Sequence, residues 1–587
     1  MVKYCFLLLA WFITIGGQVV AQNSVSFQDF QELKDTKPID GKAWDKCGKK
    51  GFVSWGSTDV RYSKTNVPSI EKVEKKWNTL AWKGERVHSQ ALIWGGMDCK
   101  GIVPQVSDLV GSGGMRIPAS AVKANFVRYV MADELNKGKK GGCGYRPDKT
   151  KFDSTLVADM IDLVKVRDLE ARTVQPLWVS VQVPRDVKAG VYKGKVRFTT
   201  SGCKLSDLDI EIRVVNRVLP EPKDQAFHLD LWQHPFSVAR YHKVPLWSDE
   251  HMELMRPVMK ILADAGQKVI TTTLLHAPWG GQTHDKFESM VMRVKKLDGT
   301  WIFDYAVFDK WVEYMMGLGI DQQINCYSLI PWKLSFQYFD QASNTLKYLD
   351  TQVGTPEFNA YWLDFLKDFA AHLKKKGWFE KTTLAMDERP MKSMQSVIKL
   401  AKEADPNFKI ALAGNFHQEI ESELYDYCVA SAHLFPQEVL TARKAAGKLS
   451  TVYTCCTEPY PNTFSFSPTA ESAWLPIYAA AKGFDGYLRW AYNSWTENPV
   501  PDTRFHTWAS GDCYLVYPFG RSSIRMERLV EGVQAFEKIR ILKEEFKNSP
   551  AKLAELNQAL AEFEISALAN SPASEMVNKV KMAINKF

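Results

Sequence analysis

The feature that most constrains this chain is a beat of short apolar strand followed by amphipathic helix, repeated about eight times between Phe227 and Trp490. Residues 227–232 read as a strand. A helix follows from about Ser248, with Met252, Met255, Val258, Met259 and Leu262 on one face, the spacing of a 3.6-residue period. Residues 269–275 form the next strand. The helix predicted over 307–318 carries Phe308, Trp311, Val312 and Met315 as its apolar stripe and stops at Gly319. A strand over 324–330 precedes a helix that Thr355-Pro356-Glu357 caps and starts, buried through Phe358, Trp362, Phe365 and Phe369. Residues 382–386 are a strand, followed by a helix over about 393–404. Strands at 409–413, 427–430, 451–455 and 486–490 complete the series. No glycine-rich phosphate loop follows the first strand, so the pattern predicts a (β/α)8 barrel of the TIM type rather than an open dinucleotide-binding sheet.

The segment before it, from about Ser24 to Pro222, is β-rich. Residues 177–183 alternate as a strand, Pro184-Arg185-Asp186 makes a turn, and Gly190-Val191-Tyr192 leads into a strand at 195–199. Residues 208–214 alternate again. Many short strands separated by turns predict a β-sandwich, and Leu219-Pro220-Glu221-Pro222-Lys223 reads as a linker. The predicted division is therefore a sandwich over 22–222, a barrel over 223–500 and a small C-terminal extension over 501–587. That extension starts strand-like at 503–517, ends in helices near 524–546 and 551–568, and packs on the barrel.

Residues 1–21 read as a secretory signal peptide. Lys3, an apolar run over 4–15 and the exit Val19-Val20-Ala21 fit cleavage after Ala21 and export to the periplasm or beyond. The run is too short to span a membrane, although an uncleaved anchor is the competing reading, and no later stretch reaches spanning length. Nine cysteines follow Cys5, with spacings that fit neither a zinc ribbon nor a dense disulfide framework. Cys455-Cys456 are expected buried at a strand end, and one or two bridges among Cys47, Cys99, Cys143 and Cys203 stay open. The 75 basic and 67 acidic side chains are spread along the chain. With no basic stripe interleaved with aromatics, a nucleic-acid partner is not expected. No dense metal-ligand spacing appears, so neither metal nor cofactor is expected. Oligomeric state is open.

A barrel's active site lies where its strands lead into their helices, so the residues after each predicted strand form an inventory. The first strand offers His234, the second His276 and Trp279, the third Tyr327 and Trp332, and the fourth Asp387 and Glu388. Asn415 follows the fifth, Glu458 and Tyr460 the seventh, and Tyr492, Asn493 and Trp495 the eighth. Carboxylates, amides, imidazoles and flat rings on one rim suit a sugar, whose hydroxyls need polar partners and whose C–H face stacks on aromatics. Each aromatic has a plainer reading as core, and two acids before a helix could serve only its N-terminal charge.

Asp387 and Glu388 carry the chemistry. Consecutive residues point different ways, which suits contacts to two parts of a substrate better than a nucleophile and acid across one bond. In the substrate-assisted design the sugar's own 2-acetamido oxygen is the nucleophile. Asp387 fits the carboxylate that orients that amide, and Glu388 the acid that protonates the leaving oxygen and later activates water. The alternatives are a two-carboxylate retaining glycosidase, with Glu388 as acid/base and Glu458 as nucleophile, and a non-catalytic glycan-binding protein.

Along nearly the whole mature chain the sequence resembles glycoside hydrolase family 123. The resemblance rests on Ala81-Trp82-Lys83-Gly84-Glu85-Arg86-Val87, Leu384-Ala385-Met386-Asp387-Glu388 and Gly486-Tyr487-Leu488-Arg489-Trp490-Ala491-Tyr492, in that order. The run from Ser522 to Val533 follows them. It implies a retaining exo-β-N-acetylgalactosaminidase acting by substrate assistance, with the two catalytic roles on Asp387 and Glu388 and a glycan or glycolipid as substrate. The residues alone do not separate GalNAc from GlcNAc or exo from endo action, nor name the natural glycan.

Overall fold

The computed structural model describes residues 29–70, 72–135 and 142–587; the predicted signal peptide lies outside them. Two β-sheets face each other in the first part of the chain. One runs Gly51–Gly56, Arg86–Gly95, Thr173–Gln182, Val122–Ala132, Thr155–Ile161 and, from far along the sequence, Ser522–Ser523. The other is built on Lys76–Lys83, Leu208–Val218, Gly190–Ser201, Cys99–Val106 and Arg167–Leu169. Strand alternation explains the layering. Leu177, Val179 and Val181 face inward to meet Val196, Ile210 and Ile212, which leaves Trp178, Ser180 and Gln182 on the opposite face.

All eight predicted barrel strands are present, every neighbouring pair parallel. In chain order they are His228–Leu231, Val269–Thr273, Gln323–Tyr327, Thr382–Asp387, Lys409–Gly414, Asp426–Ala430, Leu449–Tyr453 and Gly486–Arg489. The first and second meet only through a bridge between Leu229 and Gln267, so the barrel is nearly closed. The helix starts follow the predicted chemistry. Ser248 accepts from the His251 amide to begin Asp249–Asp264, and Thr355 accepts from the Phe358 amide to begin Pro356–Lys376.

Three features depart from the sequence reading. A four-stranded sheet, Trp301–Asp304, Met292–Lys295, Ser335–Asp340 and Thr345–Asp350, grows from the loops after the second and third barrel strands. Its edge strand Thr345–Asp350 alternates through Leu346 and Tyr348 but is exposed along nearly its whole length, and it lies in a connection outside the strand-and-helix beat. Residues 503–517 form no strand, only isolated bridges at Tyr514 and Tyr517. Their apolar run is buried between sandwich and barrel rather than laid in a sheet. The helix expected at 551–568 stops at Leu560, where the chain turns Phe563 inward against Trp474, and a further helix, Ala573–Lys586, follows.

The C-terminal segment is a weld rather than an appendage. Asp159 and Asp162, at the end of a sandwich strand, are fully buried. Asp159 takes the Arg525 guanidinium at 2.8 Å, the Tyr517 hydroxyl at 2.6 Å and Arg61 at 3.2 Å; Asp162 takes Arg521 at 2.8 Å and Arg128 at 2.7 Å. Burial alone would raise the Asp159 carboxyl, but Arg525 and Arg61 pull it below the usual range. Removing one partner of such a buried pair costs about 3–5 kcal/mol, since it strands the other charge. Disulfides join Cys99 to Cys203 within the sandwich and Cys143 to Cys456 at the barrel rim. The expectation for Cys455-Cys456 is met by Cys456, buried just past the strand and cross-linked, and corrected for Cys455, a half-buried free thiol.

Candidate active site

Asp387 is the last residue of the fourth barrel strand and is buried. Its Oδ2 accepts a hydrogen bond from the Trp332 indole at 2.9 Å, while Oδ1 has no partner among the described residues. Burial pushes the carboxyl up to about 6, against the pull of Arg389 and the Trp332 N–H. The Trp279 N–H adds a weaker pull without reaching hydrogen-bond geometry. Glu388 breaks the strand with φ 42°, a left-handed conformation that costs a non-glycine residue about 1–3 kcal/mol and is tolerated where function needs it. Its amide donates to the Ala413 carbonyl at 2.7 Å, and its exposed carboxylate accepts from the Tyr453 hydroxyl at 2.9 Å. The kink separates two adjacent acids, one set into the wall and one at the mouth.

Around them lie five tryptophans, Trp232, Trp279, Trp332, Trp490 and Trp508, with Gln282, Ala413, Tyr453, Cys455, Cys456, Leu488 and Asp512. Trp232 and Trp279 stack with ring centroids 5.0 Å apart, and Tyr327 is wedged behind both. Trp508 hangs from the Gln282 carbonyl at 2.8 Å. A third carboxylate, Asp512, is fully buried in the wall beside the eighth strand, across the barrel from the fourth. Its Oδ1 accepts from the Arg489 guanidinium and from the Trp490 indole, and its Oδ2 has no partner among the described residues. The result is an aromatic box with an unmet carboxylate oxygen at each end, Asp387 Oδ1 and Asp512 Oδ2.

Of the residues anticipated from sequence, Asp387, Glu388, Trp279 and Trp332 line this box; the others do not. His234 is fully buried: one ring nitrogen caps the helix Pro235–His242 through the Ser237 amide, the other meets the Asp285 carbonyl at 3.0 Å, and burial drops its pKa to about 3. Asn493 clamps the His234 backbone from both sides, at 2.9 and 3.0 Å. Tyr492 and Trp495 spend their polar atoms on the Val258 and Val516 carbonyls. These residues hold up the wall. Tyr327 packs behind the box, and its hydroxyl is raised well above its usual pKa by burial. Glu458 is tied into its own loop, accepting from Ser431 Oγ, the Cys455 amide and Thr457 Oγ1 at 2.7–2.9 Å. His276 pairs with Glu288 at 2.6 Å, Asn415 offers its carbonyl to Tyr427, and Tyr460 precedes the cis peptide to Pro461, all outside the lining.

Sequence reasoning missed Trp232, Tyr453, Trp490, Trp508 and Asp512. The first three sat inside predicted strands that in fact end at Leu231, Tyr453 and Arg489, so an error of one or two residues hid them. Trp508 and Asp512 lie in the segment read as an extension.

Models of known families match most of the chain: the glycoside hydrolase 123 catalytic domain over residues 232–542 and the glycoside hydrolase 123 N-terminal domain over 55–200. Among solved structures, a family 123 glycoside hydrolase from Clostridium perfringens, studied for glycolipid glycan hydrolysis, superposes with a TM-score of 0.83 at 26% identity, covering 92% of this chain and 98% of that one. A glycoside hydrolase of unassigned activity from Bacteroides vulgatus (TM-score 0.32, 11% identity, 80% of this chain and 79% of that one) is too distant to carry an argument. No curated protein matches the chain.

Proposed function

The chain belongs to glycoside hydrolase family 123, and from that premise we propose that it is a retaining exo-β-N-acetylgalactosaminidase working by substrate assistance. The observation that carries this reading is the divergence of the acid pair: Asp387 buried with an unpartnered Oδ1, Glu388 exposed at the mouth. A GalNAc unit in the box would donate its acetamido N–H to Asp387 Oδ1, turning the amide oxygen onto C1. As that oxygen attacks, the C1–O bond to the leaving group breaks and Glu388 delivers its proton to the departing oxygen. Ionised Asp387 stabilises the positive oxazolinium-like ring, in a wall that excludes water and strengthens the interaction. Glu388 then takes a proton from water, which opens the ring at C1 with net retention. Tyr453 orients Glu388, and Trp332 fixes Asp387.

Asp512 Oδ2 and the rings of Trp490 and Trp508 wall the far end of the box, which favours a terminal sugar and hence exo action. Glu458, satisfied three times over in its own loop, is poorly placed as a nucleophile. The two disulfides suit an exported protein, and a glycolipid is a substrate to test because the Clostridium relative is described for glycolipid glycans. The experiment is turnover of aryl β-GalNAc and β-GlcNAc, with product anomer followed by NMR and a thiazoline mimic of the intermediate as inhibitor. Retention with tight thiazoline inhibition is expected. Turnover that the thiazoline leaves untouched sinks the assisted mechanism.

A further inference from the structure

A second cleft is larger than the aromatic box. It lies where the outer face of the sandwich sheet meets the helices Asp249–Asp264 and Ile524–Glu545, and it encloses about 540 Å³. That is the size of a ligand pocket, at a domain boundary where such pockets concentrate. Its floor follows from strand register. Trp178 stands beside Asn125, and Ser180 beside Lys123, while Gln182 stands beside Arg86 on the other neighbouring strand.

Two buried polar atoms here have no partner among the described residues: the Trp178 indole Nε1, on a residue only 2% exposed, and Arg86 Nη2. Native proteins rarely leave such groups unmet without a ligand or water to receive them. Both are donors. Lys123, exposed on the same face, adds a third and has no ion-pair partner among the described residues. The acids on the walls are already engaged: Glu221 with Arg185 at 3.1 Å, Glu527 with Arg86 at 3.4 Å, and Asp264 with Lys260. His88, its ring tilted against Trp178 with centroids 4.7 Å apart, is paired with Glu531 at 2.7 Å. Gln534 grips the Arg86 backbone at both its amide and carbonyl, so the floor is fixed rather than free to collapse onto the orphaned donors. The unmet demand of the cleft is for acceptor oxygens.

We propose that this cleft is a second ligand site, separate from the catalytic box, for an oxyanion-bearing sugar unit, a uronate or a sulfated residue. Its anionic group would accept from Trp178 Nε1 and Arg86 Nη2 with Lys123 at the mouth and the Ser180 hydroxyl beside it, while the Gln182 and Asn125 amides, held by the Gly84 and Asp162 carbonyls, frame the floor. Such a site would hold an acidic branch of a glycan whose end is processed elsewhere on the molecule.

The test is 19F NMR of the full chain labelled with 5-fluorotryptophan, the Trp178 signal being the one that Trp178→Phe removes. Methyl β-glucuronide, galactose 6-sulfate, neutral methyl β-galactoside and inorganic sulfate are titrated separately. A saturable shift of the Trp178 signal is expected with one or both acidic sugars, the responding arm naming the anion. Lys123→Gln should weaken that binding roughly tenfold, the size of one charge-assisted hydrogen bond. Trp178→Phe should leave aryl glycoside turnover at the wild-type rate, so loss of the site and loss of the proposed activity read out separately. Silence of the Trp178 signal toward both acidic sugars overturns the proposal. So does an equal response to the neutral sugar, or inorganic sulfate binding as tightly as either acidic sugar.

Discussion

Replacing Trp332 by Phe isolates one interaction at the centre of the proposed mechanism. Phe keeps a ring beneath Arg389, whose guanidinium lies 4.6 Å from the Trp332 ring, but removes the N–H that Asp387 Oδ2 accepts at 2.9 Å. A hydrogen bond to an ionised carboxylate contributes about 1.5–3 kcal/mol, and each pKa unit is worth about 1.4 kcal/mol, so the loss raises Asp387 by roughly one to two units. Trp332 is 45% exposed, and solvent screening favours the lower figure. Asp387 stands near 6 in the free protein, and its ionised form is the one that accepts the acetamido N–H. The acid limb of kcat/KM should therefore lie near pH 6 in the wild type and about one unit higher in Trp332→Phe. Activity at pH 6 falls, while activity well above the limb is largely spared. The assay is kcat/KM against pH on an aryl β-GalNAc with a good leaving group, so that proton delivery by Glu388 is not limiting. An acid limb that stays in place while the overall rate drops would refute the argument, because then the titrating group is not the carboxylate that Trp332 holds.

Three further outcomes follow from the same geometry. Asp387→Asn should abolish most turnover even on activated substrates, yet raise Tm at neutral pH. Its folded-state pKa of about 6 lies above the ordinary 3.8, so ionisation between those values costs the fold up to ~3 kcal/mol that the neutral amide does not lose; a Tm lower than wild type at pH 7 and unchanged at pH 4 would contradict this. Glu388→Gln should lose activity chiefly on poor leaving groups, measured as a steeper dependence of kcat/KM on leaving-group pKa, and a uniform loss across the series would remove Glu388 from the acid role. Asp512→Asn should lower kcat/KM by roughly ten- to a hundredfold if Oδ2 receives a sugar hydroxyl. The loss should shrink on the 4-deoxy or 6-deoxy glycoside that lacks that hydroxyl, and equal losses on intact and both deoxy substrates would assign Asp512 to holding Arg489 alone.

The barrel was legible because its strands are short, largely β-branched or apolar runs buried on both faces and its helices carry regular stripes and caps, signals that survive without tertiary knowledge. Asp387-Glu388 was legible because chain position alone puts it at the end of a strand. The rim was much less so. Being near a strand end does not say whether a side chain turns toward the mouth or into the wall, and His234, Asn493, Tyr492 and Trp495 turn into the wall to satisfy buried backbone groups. Trp508 and Asp512 reach the box from a loop with no periodicity, held there by long-range partners such as Gln282 and Arg489. Nothing local in the sequence encodes those partnerships.

The buried acids of the sandwich have a consequence for biogenesis. Asp162 and Asp159 leave the ribosome 359 and 366 residues before the arginines, Arg521 and Arg525, that neutralise them. At translation speeds of about 5–20 residues per second, that interval is roughly 20–70 s. Throughout it the sandwich can gather its apolar core, but the edge beside Thr155–Ile161 cannot be sealed, because the strand and guanidinium groups that close it do not yet exist. Until then Arg61 and Arg128 are the ion-pair partners that the sandwich itself gives these two carboxylates, and a chain interrupted before residue 521 carries an open sheet edge rather than a finished module.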